Sequence, residues 1–156
     1  MKRLSVHYAF RQKFSVDADR AFRWCVDFEP ADARLDGSDD RRRVQRLTED
    51  AVLLTDLSPR AGSRPVVQVK LVRIDASQRR WTSTHLHGPS RFSQAWYQVV
   101  TDARGGSHLE FEALHLEPVP HGRRAPSARA LARRFAREGA QAWRLLANAM
   151  VRDLRK

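Results

Sequence analysis

The C-terminal segment, residues 127–155, constrains the fold of this chain more than any other part. Ala128, Leu131, Phe135, Ala142, Trp143, Leu146, Ala149 and Met150 gather on one side of a helical wheel. Arg129, Arg133, Arg134, Arg137, Arg144, Arg152 and Arg155 gather on the other. That spacing predicts one long amphipathic helix. Ser127 is placed to accept a hydrogen bond from one of the unpaired amides of the first turn. Gly139 falls toward the apolar side, where the missing Cβ permits close approach to a sheet, at a cost of about 1 kcal/mol in helix propensity against alanine. A helix with one wet face must bury the other, and most of the chain upstream reads as strand.

Residues 4–16 alternate: Val6, Tyr8, Phe10, Phe14 and Val16 share one parity, and His7, Arg11, Lys13 and Ser15 the other. Period two over this length predicts a half-buried strand. Asp17 reads as a helix N-cap with Asp19 favoured in the first turn by the helix dipole, followed by Ala21, Phe22, Cys25 and Val26 at helical spacing. Glu29-Pro30 ends or redirects that helix, residues 30–36 suit one further helical turn, and Gly37-Ser38-Asp39-Asp40 is a loop. Strands are then expected at 41–48, 51–57, 64–75, 80–87, 91–102 and 107–117, with turn signals between them. Pro118 and Pro120 are expected to close the last strand, with a linker from Gly122 to Pro126. Short connections favour antiparallel hairpins. Strands grouped between helices give an α+β fold. One helix cannot cover both faces of seven strands, so the economical arrangement is a helix-grip fold: a curved antiparallel sheet around the C-terminal helix, with a hollow between them.

The length, 156 residues, suits a single domain spanning 1–156 with a core that needs neither disulfide nor metal. Cys25 is the one cysteine, so no internal disulfide forms, which fits a reducing compartment. Arg11 interrupts the N-terminal alternation before any signal-peptide apolar run develops, and no stretch is long enough to span a membrane; a cytoplasmic protein is the expectation. The net charge is +11, and residues 121–156 supply +8 of it, from ten Arg or Lys against Glu138 and Asp153.

The opening Tyr8-Ala9-Phe10-Arg11-Gln12-Lys13-Phe14-Ser15-Val16, the helix Asp17-Ala18-Asp19-Arg20-Ala21-Phe22-Arg23-Trp24 and the stretch Trp24-Cys25-Val26-Asp27-Phe28-Glu29-Pro30 stand in an order, with Tyr97-Gln98-Val99-Val100 and Gly105-Gly106-Ser107-His108-Leu109-Glu110-Phe111 later in the chain, that resembles the START-like or Bet v 1-like superfamily of polyketide cyclase/dehydrase and lipid-transport proteins (SRPBCC). Ser107 stands where that family usually has threonine. The resemblance covers nearly the whole chain. It implies the helix-grip fold and an apolar cavity, and no transferable catalytic motif.

His85 and His87 stand two apart on a predicted strand and are expected to face the same side. His115 has the parity of Leu109 and Phe111, so three imidazoles are candidates to line one hollow. Separate, solvated or hydrogen-bonded histidines are the commoner outcome. No carboxylate at fixed spacing completes a metal site, and neither metal nor cofactor is expected. A cavity histidine also suits proton transfer near neutral pH. Ala95, Tyr97 and Val99 are expected to face inward on strand 91–102, in preference to Phe92, Trp96 and Val100, unless a bulge intervenes. Cys25 lies on an apolar helix face, which favours a buried structural thiol. Glu110 and Glu112 are expected outside. No phosphate loop, dinucleotide fingerprint or nucleophile elbow is present.

These readings select Phe10, Trp81, Phe111, Phe135, Trp143 and Leu146 as the apolar wall of a site for a hydrophobic or lipid-like small molecule, with His85, His87, Tyr97 and His115 as its polar contacts. The alternatives are a cyclase or dehydratase acting on a polyketide-like substrate, and an interaction protein. In the latter, Arg129, Arg133, Arg137 and Arg144 would meet nucleic acid or an anionic membrane surface.

Overall fold

The computed structural model describes residues 2–122 and 124–155; Met1, Lys156 and Arg123 of the expected linker lie outside the described residues. The sheet has seven strands: β1 (Lys2–Phe14), β2 (Arg41–Thr48), β3 (Ala51–Ser58), β4 (Val66–Asp75), β5 (Arg80–His87), β6 (Gln94–Thr101) and β7 (Ser107–Val119). Their spatial order is β1-β7-β6-β5-β4-β3-β2, and every neighbouring pair is antiparallel. Helix α1 (Ala18–Val26) and a 3-10 helix (Pro30–Arg34) follow β1, and α2 (Ala128–Leu154) ends the fold. Among the described residues no helix is long and apolar enough to cross a membrane.

The local signals have the expected chemistry. Asp17 accepts a hydrogen bond from the Arg20 amide at 3.0 Å and starts α1; Ser127 does the same for the Ala130 amide at 3.4 Å and starts α2. In the turn before β7, Gly105 takes a positive φ of 91°. The fully buried Ser107 donates its hydroxyl to the Val16 carbonyl at 2.7 Å, tying β7 to the end of β1.

Several strand boundaries differ from expectation by one to three residues, and two of them, the end of β7 and the start of β6, have a visible cause. β7 runs through Pro118 to Val119. The Leu116 amide points away from β1 and is satisfied by Ser93 Oγ at 2.9 Å. Pro118, two residues on, points the same way, where β6 has already ended, so its missing N–H costs no ladder bond. β6 starts at Gln94 because residues 88–93 close a turn: the Phe92 amide donates to the His85 carbonyl at 2.8 Å, and Phe92 takes a φ of 71°.

The core sits on the inner face of the sheet. Phe14, Val52, Leu54, Val72, Trp81, Val99 and Leu109 pack with Phe22 of α1 and Met150 of α2. Ala95 and Val99 are buried, which settles the parity of β6 in favour of the Ala95, Tyr97 and Val99 face. α2 lies along β1, and Gly139 permits the contact: a Cβ there would stand 2.6 Å from Phe10 Cε1. Arg129, Arg133, Arg134, Arg137, Arg144, Arg152 and Arg155 lie on the solvent side of α2, and Arg134 lies 4.9 Å from the centre of the Phe135 ring.

Candidate functional site

α2 is buried most deeply at Leu131, Ala149 and Met150. A hollow of about 320 Å³ remains. Its floor is the inner face of β2 to β6, its roof is Ala142, Trp143 and Leu146 of α2, and its side is closed by Trp24, Cys25 and Phe28 with Ala33 and Leu35. Asp32, Asp36 and Asp40 stand at its rim. Phe28 holds a φ of 34°, a strained conformation for a bulky residue, where the chain turns from α1 into the 3-10 helix beside the hollow. The Cys25 thiol is buried and its pKa is pushed up, by burial first and by the neighbouring Asp27 charge.

Three charged side chains lie on the floor. Asp56 accepts bonds from Arg42 Nε at 2.7 Å, Arg42 Nη2 at 3.0 Å and Lys70 Nζ at 2.8 Å. Its side chain is 6 % exposed, against 15 % for Arg42 and 20 % for Lys70. Burial alone would raise the Asp56 pKa; the Arg42 hydrogen bonds and the two positive charges outweigh it and hold the carboxyl at about 2. The register explains the grouping. Arg42 opposes Asp56 across β2 and β3, and Lys70 opposes Leu54, one inward position along from Asp56.

His85 opposes Lys70 across β4 and β5 and lines the hollow beside Ser83. Its Nδ1 is sealed from solvent and has no hydrogen-bond partner among the described residues. Burial, then the positive charges of Lys70 and His115, push the His85 pKa down to about 4, with Asp56 offsetting part of this, so the ring is neutral at pH 7. Tyr97 lies at the other end of the floor, its ring stacked on Trp81 with centroids 4.8 Å apart and planes within 5°. Burial raises its hydroxyl pKa. Trp143 closes over both rings, with centroids 6.0 Å from Tyr97 and 6.4 Å from Trp81.

Of the residues singled out from the sequence, Trp81, His85, Tyr97, Trp143 and Leu146 therefore line the hollow. The expected shared face of His85 and His87 does not form. Val69 opposes His87 while Lys70 opposes His85, which leaves Leu86 as an extra residue in a bulge. The bulge turns His87 to the exposed outer face. His115 does lie on the inner side, but it pairs with Glu117 at 2.9 Å and packs edge-on against Phe135 at 4.7 Å. Phe10, Phe111 and Phe135 belong to the same packed cluster beside the hollow: Phe10 stacks on Phe111 at 4.4 Å, and Tyr8 lies 5.6 Å from both Phe111 and Phe135. Among the described residues no group of three or more His, Cys, Asp or Glu is arranged to hold a metal ion. A shallow depression on the outer face, edged by Arg11, Arg80, Glu110 and Glu112, is open to solvent.

The sequence reading missed Arg42, Asp56, Lys70 and Ser83. The signal was present: Asp56 shares its parity with Val52 and Leu54, Lys70 with Val72, and Ser83 with Trp81. Charges at inward positions of successive strands mark a polar patch on a buried floor.

No family model matches the chain, and no curated protein matches its sequence. Solved structures do match its fold. TTHA0849 from Thermus thermophilus superimposes with a TM-score of 0.77 at 11% identity, covering 94% of this chain and 98% of that one. The Zhui aromatase/cyclase from Streptomyces sp. R1128 gives 0.75 at 11% identity, covering 97% and 96%. Ara h 8.0201 gives 0.68 at 9% identity, covering 95% and 99%. The chain thus has the helix-grip fold of START-like and Bet v 1-like proteins.

Proposed function

We propose that residues 1–156 act as one domain that binds a hydrophobic small molecule bearing a polar group, in the hollow beneath α2. The observation that carries this reading is the mixed lining of a partly enclosed space: Trp81, Tyr97, Trp143 and Leu146 are its apolar lining, and Lys70, Ser83 and His85 are polar groups on its floor. Burial of the apolar part supplies the free energy, at about 25 cal/mol per Å². The polar part meets Lys70, which lines the hollow and uses one donor on Asp56, leaving hydrogen-bonding capacity to spare.

A cyclase reading finds support in the structural likeness to an aromatase/cyclase. Neutral His85 has the right charge state for a base. Its buried Nδ1 is joined neither to Tyr97 nor to a carboxylate, however, so no proton-transfer pair is assembled there in advance, and binding is the favoured reading. Arg129, Arg133, Arg137 and Arg144 lie on the far side of α2 and take no part in the hollow; we assign them to the solvated face.

The test is native mass spectrometry of the protein purified from its own host. A stoichiometric apolar adduct that leaves only on denaturation is the expected result. Identical masses under native and denaturing conditions, with no shift on adding aromatic or aliphatic ligands, would count against a binding role.

A further inference from the structure

We infer that the occupant of the hollow is a compact ring compound with one or two fused rings and a single hydroxyl or carboxyl group, and that long acyl chains are excluded. This rests on the binding reading above and narrows it. The hollow holds about 320 Å³, the volume of about ten waters, and lies at the small end of the range for ligand sites.

Its confinement has a structural cause. Beyond Tyr97 the space between the sheet and α2 is filled by an aromatic train. Phe111 stands edge-on to Tyr97 at 5.0 Å, Tyr8 and Phe10 pack on Phe111, and Phe135 packs on Tyr8. Gly139 lets α2 descend onto Phe10, which closes the train from above. An acyl chain therefore has no way to extend along the helix axis. The open side offers no apolar exit either, because a protruding tail would cross the carboxylates of Asp32, Asp36 and Asp40.

The walls favour planar rings. Trp81 and Tyr97 stack with their planes within 5°, so the surface they present is built of parallel rings, and Trp143 is tilted 48° and 51° to them as a lid. On the floor beside that surface, Ser83, His85 and Lys70 offer room for one polar group. Each selects a feature of the same molecule: a flat apolar body and a single polar edge.

The experiment is isothermal titration of the full chain with 2-naphthol, 2-naphthoate, laurate and palmitate under identical conditions. The inference expects one of the naphthyl probes to bind at one-to-one stoichiometry and at least tenfold more tightly than either fatty acid. It also expects Trp143→Ala, which removes the lid, to narrow that gap by tenfold or more; a thermal melt establishes that this variant is folded, and if it is not, the wild-type comparison decides alone. Palmitate or laurate binding as tightly as the naphthyl probes overturns the size inference and leaves the binding reading intact. Absence of binding by all four probes overturns both.

Discussion

Replacing Asp56 by alanine tests how the floor of the hollow is held together. Two routes give the cost. The carboxyl is held at about 2 in the folded protein, against about 3.9 in an unfolded chain. That difference corresponds to about 2.5 kcal/mol. Alternatively, removing one member of a buried ion pair and leaving the others unpaired costs about 3–5 kcal/mol. Arg42 and Lys70 keep partial access to solvent, which places this case at the lower end. Asp56→Ala is therefore expected to lose about 3 kcal/mol in urea denaturation at pH 7. In a domain of this size that is about 6–12 °C in Tm. The pH dependence gives an independent reading. A depressed carboxyl contributes its full stability above the unfolded pKa and loses it as pH falls from about 4 to about 2. Asp56→Asn should lack that acid limb. Replacing all three by Met, Leu and Met should leave stability near wild type, because no charge is then stranded. A loss under about 1 kcal/mol for Asp56→Ala, with an unchanged acid limb in Asp56→Asn, would refute the assignment of this cluster as a buried, coupled unit.

Three further outcomes are expected. Gly139→Ala gains about 1 kcal/mol of helix propensity but forces Phe10 off Phe111, an overpacking cost of about 1–3 kcal/mol, so it should destabilise by about 1 kcal/mol; in a Phe10→Leu background the same change should become stabilising, a sign reversal read by a double-mutant cycle. His85, at about 4 in the fold against about 6.5 unfolded, contributes stability that is full above pH 6.5 and is lost as pH falls toward 4. Wild type should thus lose up to about 3 kcal/mol more than His85→Phe over that interval, and parallel curves would contradict its burial as a neutral ring. Ser107→Ala removes a hydroxyl at a fully buried position and leaves the part-buried Val16 carbonyl without that donor, and should cost about 1–2 kcal/mol in chemical denaturation, whereas a surface change such as Arg104→Gln should cost under about 0.5 kcal/mol.

The fold was legible because its signals are local and repeated. The α2 wheel places apolar and arginine faces as observed, and β1 keeps its alternation from Val6 to Phe14. Gly105 and Ser107 mark the β6–β7 turn through a positive φ and a side-chain hydrogen bond that depend on those residue types. The site was legible only in part. Trp81, Tyr97 and Trp143 follow from parity and the helical wheel. His87 was misplaced because a single extra residue, Leu86, reverses the facing of everything after it, and a bulge leaves no mark in the alternation of a short strand. The Arg42, Asp56 and Lys70 cluster depends on register across three strands, which no single strand encodes. The division between open hollow and packed aromatic train is a matter of volume. Phe10, Phe111 and Phe135 have the composition of a ligand wall, and only their mutual stacking shows that they fill the space themselves.

The central claim is that the space beneath α2 is a ligand site. Nitrogen-15 spectra of the four tryptophan indoles test it directly during titration with 2-naphthol. Trp81 and Trp143 line the hollow, as does Trp24 at its side, while Trp96 lies on the partly exposed outer face. The account predicts saturable shifts of Trp81 and Trp143, with Trp96 unmoved. Shifts at Trp96 alone, or at none of the four, would contradict it.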